Sequence, residues 1–243
     1  MAIPFDLGNA VAAIGALGLA SFALVDVTKI GRQGGVSNSG FIFIELAIRQ
    51  LLPNERRSAN ADDPNTSRTL LDVLHANWIA GVACPDQKAI AKSLIKLRVS
   101  PATAAQLASA TSVDADTLKS IAVKMNDGSD LTASEANVLG RFDLMLTALL
   151  DEGYQRADQR YRNASRVLAS MIAVVLAVFG GWAVSHSPVE GSNDTLSASQ
   201  YFFHKDMWIA LIAGVLATPL APISKDLASA LQAAVKVAQA VKK

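Results

Sequence analysis

Ser93-Leu-Ile-Lys96 sets a hydroxyl and an amine three residues apart, so that on a helix the lysine could take the proton of a serine nucleophile. The Ser-Asp-Asn and Lys-Thr-Gly elements that accompany such a pair in serine acylases are missing. Lys88, Lys92 and Lys96 recur every fourth residue, and we read them as one solvated helix face, a candidate docking surface for a protein partner. His75 and Cys84 would suit a base and a thiol nucleophile, but nothing nearby orients them. The expectation is a core histidine and an inert, buried thiol. Asp127-Gly-Ser-Asp130 with Glu135 has a calcium-loop flavour. Putting Gly128 at the sixth loop position leaves Val123 and Met125 where oxygen ligands belong and Ser134 at the bidentate position, so calcium is not expected. The cadence from Thr103 to Met125 fits a helix-turn-helix. Its second helix would open with Asp114 and Asp116, which DNA phosphate repels, and a protein-docking role is expected instead.

Further ionisable groups border apolar stretches. Asp26 is expected to snorkel to the headgroups, or to form a cation-attracting ring if copies surround a pore. His204, Lys205 and Asp206 stand beside Tyr201, Phe202, Phe203 and Trp208, a set suited to anchoring at an interface, and His186 or His204 is a candidate pH sensor. No Walker A, Gly-x-Gly-x-x-Gly or His-Glu-x-x-His pattern occurs, and Cys84 is the only cysteine. No catalytic residue, cofactor or metal is expected, and the chain reads as a non-enzyme. Charges nearly balance between Lys29 and Arg162, so no nucleic-acid footprint is expected.

These groups hang on three uncharged runs, Leu7 to Val25, Val167 to Ser185 and Met207 to Ile223. At 1.5 Å per residue they reach roughly 25 to 29 Å, close to the hydrocarbon thickness of a bilayer. They hold much of the 51% hydrophobic content of this 243-residue chain. No lysine or arginine precedes the first run, so it is expected to be a retained span rather than a signal peptide. Lys29, Arg32 and Arg49 follow span one, Arg156, Arg160, Arg162 and Arg166 precede span two, and Lys225, Lys236, Lys242 and Lys243 follow span three. The positive-inside rule then puts the N-terminus outside and the C-terminus inside, with the bulk of the chain cytoplasmic in a bacterial-type inner membrane.

The expected fold is all-α. It comprises span one (1–28), a loop and interfacial helix (29–66), a cytoplasmic helical body (67–131), a long helix including span two (132–186), an external loop (187–204), span three (205–223) and a C-terminal helix (224–243). The helix Gly40–Leu52 is bulky nearly all round and too short to span, so it is expected at the membrane surface, with burial in the cytoplasmic body as the alternative. Asn54 to Ser67 reads as a mobile loop. Body helices are expected over Ser67–Val82, Pro85–Val99, Pro101–Ala110 and Asp114–Met125. Thr132-Ala-Ser-Glu135 matches a capping box, and the next proline is Pro188, so one helix of about 54 residues is expected. Its predicted seam is Leu139, Phe142, Leu146, Leu149, Gly153 and Ala157. Pro219 and Pro222 are expected to kink or unwind span three.

Small residues in span one, Gly15 and Gly18 among them, suit close helix association. Leu227, Leu231, Ala234 and Ala238 form a heptad-like seam in the tail. Together they suggest a homo-oligomer. The sequence therefore points first to a membrane anchor or scaffold that self-associates in the lipid bilayer and shows its helical body to a cytosolic protein. The alternative is a homo-oligomeric channel gated near Asp26, Pro219 and Pro222.

Overall fold

The computed structural model describes residues 7–31, 34–58, 69–186 and 198–241, and all their regular structure is helical. In chain order the helices are α1 (Leu7–Gly31), α2 (Asn38–Leu51), α3 (Leu70–Ile79), α4 (Cys84–Lys96), α5 (Ala104–Thr111), α6 (Ala115–Asp127), α7 (Ala133–His186), α8 (Ala198–Phe202) and α9 (Lys205–Val241). A 3-10 turn, Gly35–Ser37, leads into α2. Among the described residues, three helices are long and apolar enough to cross a membrane, by windows at Ala10–Val27, within Ala133–Ser185, and at Lys205–Ile223. The chain divides into two compact units, one of residues 32–162 and one of residues 1–31 with 163–243.

The 32–162 unit has a core of its own. Phe41, Ile44, Ile48 and Leu51 from α2 meet Leu71 and Leu74 from α3, Ala91 and Ile95 from α4, Leu107 from α5, Leu118 from α6, and Phe142, Leu146, Leu150, Tyr154 and Ala157 from α7. The α7 stripe repeats every three or four residues, the period that keeps one helix face inward. Of its predicted seam, Phe142, Leu146, Gly153 and Ala157 are buried, while Leu139 and Leu149 pack at the margin. Leu150 and Tyr154 fill the positions between.

Glycine sets how closely α2 approaches α7. A methyl group on Gly40 would lie 2.5 Å from the Ala157 carbonyl oxygen, and one on Gly153 would lie 2.7 Å from the Ala47 methyl. One face of α2 is thus buried in protein along its whole length, while Ile42 and Leu46 on the other side are exposed. Its apolar residues are too many for periodicity to say which of them protein covers and which it leaves outside.

Local chemistry also moved the helix starts. Thr69, rather than a residue near Ser67, caps α3, because its hydroxyl accepts from the Asp72 amide at 3.2 Å while Asp72 accepts from the Thr69 amide at 3.0 Å. Pro101 lies in a turn before α5, where the Thr103 hydroxyl accepts from the Ser100 amide. Asp114 caps α6 as its spacing suggests, accepting from the Thr117 amide at 2.7 Å. Gly128, at φ +70°, ends that helix in the left-handed region that glycine enters without steric cost. Thr132 and Glu135 form the expected reciprocal cap on α7, which runs unbroken for 54 residues.

In the other unit, α1 and α9 share a long contact. Gly18, Ser21 and Val25 are buried on α1, and Ala217 and Ala221 on α9. On α9, Gly214 lies against Val174 of α7, and Ser170 donates to the Thr218 hydroxyl at 3.0 Å. From α8, the fully buried Tyr201 donates to the Val178 carbonyl at 3.2 Å, occupying space that Gly181 leaves open.

The expected unwinding at Pro219 and Pro222 is also corrected, because α9 continues through both as one helix with the 224–243 segment up to Val241. The two prolines share an exposed face, away from Gly214, Ala217 and Ala221, whose packing holds the turn together. Most of the predicted external loop and the loop after Asn54 lie outside the described residues; within the former, α8 forms over 198–202.

Candidate functional site

Each group that sequence singled out for chemistry can now be placed. Lys88 donates to Asp151 at 2.5 Å and Lys92 to Asp143 at 2.5 Å, and Lys96 also pairs with Asp143. As the α4 number rises from 88 to 96, the α7 number falls from 151 to 143, so the helices run antiparallel and the lysine stripe faces a carboxylate stripe. The candidate docking face is thus a clasp within the chain. Spacing on α4 alone showed the stripe; its partners sit 51 and 63 residues away. Burial pushes the Asp143 carboxyl up, but hydrogen bonds from Lys92 and Lys96 and their charges outweigh it and leave the group below its ordinary value. With Lys96 held by Asp143, no free amine stands beside the exposed Ser93, and the acylase reading has no geometry.

His75 is buried on α3. Its Nδ1 lies 3.1 Å from an Arg57 guanidinium nitrogen and its Nε2 2.7 Å from the Asn38 side-chain oxygen. A guanidinium only donates, so Nδ1 accepts and Nε2 carries the proton to Asn38. Phe41 meets the imidazole edge-on at 4.7 Å, and Arg57 lies over the Phe41 ring at 5.7 Å. The histidine joins three chain segments and is not paired with Cys84. Cys84 is half-buried, and burial, helped by the Asp158 charge, pushes its thiol up against the pull of Lys88 and Arg162, the opposite of nucleophile activation.

Glu135 is more than a cap. Hydrogen bonds from Lys124, from the Thr132 amide and hydroxyl, and from Ser120 hold its carboxyl at about 2. Lys124 and Ser120 belong to α6, so one carboxylate ties α6 to the first turn of α7 at 2.7 and 2.9 Å. The sequence pattern showed the cap but not the cross-helix half, which depends on where α6 lies. Among the described residues, no group of three or more His, Cys, Asp or Glu side chains gathers as metal ligands would.

The membrane-depth candidates fall as follows. Gly18 lies in the contact between α1 and α9, and Gly15 is also buried, so the close-approach face offered for self-association is occupied within the chain for Gly18. Asp26 is exposed near the end of α1, and Pro219 and Pro222 are exposed on α9. Leu227, Leu231, Ala234 and Ala238 lie on α9, with side chains outside the described residues.

Fold and sites together define a class: the described residues are helical throughout their regular structure, with three helices able to cross a membrane and a separately packed helical body. Comparison with protein-family models, with curated proteins and with solved structures finds no match to this chain.

Proposed function

We propose that the protein is an integral membrane anchor that carries its 32–162 body on the cytoplasmic side of an inner membrane and presents it to a soluble protein. One observation carries this reading. Among the described residues, the core of that body is assembled from side chains between Phe41 and Ala157. Loops that merely join spans would not build a core of this kind; a domain held in place by its spans would.

With the lysine stripe of α4 engaged by α7, the outward side of the α5–α6 hairpin is the better docking element. Lys119 and Val123 are exposed there, and the hairpin is fixed from behind by Leu107, Leu118 and the Glu135 tie. Self-association would then fall to the 227–238 seam of α9. Charge-free spans support anchoring over conduction. The polar span residues Ser21 and Ser170 bond within the unit, to the Leu17 carbonyl and to Thr218.

The test uses the whole chain in its membrane. The anchor resists alkaline carbonate extraction, and protease clips around Pro64 in inverted vesicles but not in right-side-out ones. A photo-crosslinker at Val123 captures a soluble protein, and planar bilayers show no current. Release by carbonate, or cleavage near Pro64 from outside, would overturn the proposal.

A further inference from the structure

α2 is solved on one face only. Gly40, Phe41, Ile44, Ala47, Ile48 and Leu51 are buried, whereas Ile42 and Leu46, one turn apart on the opposite side, are 53% and 51% exposed. Arg49 shares that outer side and is ion-paired to Glu45 at 2.5 Å. An apolar pair bordered by the Glu45–Arg49 ion pair suits the headgroup region of a bilayer, where apolar and charged groups meet. Elsewhere on this body Leu97 is exposed alone, and the exposed Leu144 and Met145 of α7 lie more than 20 residues ahead of the uncharged run at Val167. The adjacent pair on α2 is different because of where the chain puts it.

Chain length selects the occupant. Six residues separate the end of α1 at Gly31 from Asn38, so the start of α2 is held within about 25 Å of the end of a candidate span, whatever path the linker takes. A second tether acts on the same end. Gly40 packs on Ala157 and Tyr161, and only five residues lie between Tyr161 and the uncharged run that starts at Val167. A surface tethered so closely meets the bilayer at high effective concentration, and a patch too small to bind lipid from solution is then sufficient.

We infer that the Ile42–Leu46 face of α2 rests in the cytoplasmic lipid headgroup layer and fixes the body against the membrane. The inference rests on the anchor reading above. Headgroup-depth contact accounts for both halves of α2, with protein covering one side and lipid the other.

The experiment places a fluorophore at single cysteines in the full-length protein carrying Cys84→Ala, reconstituted in vesicles of phosphatidylcholine and phosphatidylglycerol. Label sites are Ile42→Cys, Leu46→Cys, Leu97→Cys and Phe179→Cys. Quenchers attached to the lipid chains near the headgroup are expected to dim the labels at 42 and 46 and to leave the label at 97 bright; quenchers at any chain depth dim the label at 179. Loss of quenching at 179 sinks the anchor reading itself. Quenching at 179 with 42 and 46 as bright as 97 overturns the lipid contact and leaves the anchor standing. Oxidative cross-linking between two copies of Ile42→Cys in the membrane, without lipid quenching, would show that a second copy covers the face and likewise overturns it. All labelled positions are exposed, so the variants keep the core intact; a shared melting temperature confirms it.

Discussion

Gly18 of α1 faces Ala217 of α9 so closely that even a methyl group on Gly18 would overlap the Ala217 carbonyl oxygen. Inside lipid, apolar area gives helices no reason to prefer each other over acyl chains, so backbone proximity and van der Waals contact must hold α1 to α9. Gly18→Leu is therefore expected to push the helices apart and lower stability by about 1–3 kcal/mol, the range for overpacking. Thermal unfolding in detergent checks this. Ala20→Leu, on the exposed side of α1, should leave the transition unchanged.

Asp143 holds Lys92 and Lys96 together. Replacing it with Asn removes both pairs between α4 and α7 while keeping the side-chain shape. The three side chains are 28–42% exposed, so the loss should be modest, on the order of 1 kcal/mol. It should also shrink as salt is raised. Urea unfolding at low and high ionic strength reads both effects. The pH sign follows from the lowered Asp143 carboxyl: its contribution is present above the ordinary value of 3.8 and is lost as pH falls through the lowered one.

Glu135 offers a sharper pH handle. Its carboxyl is held at about 2 against an ordinary 4.5, so the folded state releases this proton more readily than the unfolded chain. Stability from this group is complete above 4.5, declines as pH falls between 4.5 and about 2, and is absent below. Glu135→Gln should flatten that part of the stability–pH curve. Lys124→Met should do so in part, because the Thr132 and Ser120 donors remain. Chemical unfolding monitored across pH 2 to 5 in both variants measures the difference. An unchanged slope in Glu135→Gln would refute the assignment.

The contrast between Glu135 and Gly18 shows what sequence carries. Capping is local, and Thr132 with Glu135 is legible because both partners lie within one turn. The 54-residue span of α7 was equally legible, since an unbroken helix needs only an absence of prolines and two kinds of hydrophobic period. Close approaches are not local. That Gly18 meets Ala217, or that Lys88 meets Asp151, depends on which helices become neighbours, and a stripe of small or charged residues looks the same whether another helix, a second copy or solvent covers it. α2 was ambiguous for a related reason: apolar residues on nearly every side fit a buried helix and an interfacial one alike. Pro219 and Pro222 were read from their own chemistry, whereas the outcome was decided by Gly214, Ala217 and Ala221 on the other side of α9.

The Ser170–Thr218 hydrogen bond and the Gly214–Val174 contact both join α9 to α7, and their magnitudes should differ. A hydrogen bond between spans contributes about 0.6 kcal/mol on average, because a freed hydroxyl can turn to a carbonyl of its own helix. Thr218→Val, which keeps the shape and removes that hydroxyl, should thus cost little. Gly214→Leu should cost more, since its first carbon would come within 2.5 Å of the Val174 Cα, and neither backbone can yield without breaking its own helix. Unfolding of the two variants in detergent or bicelles ranks them. If Thr218→Val proved the more damaging, polar bonding rather than close packing would be what joins α7 to α9.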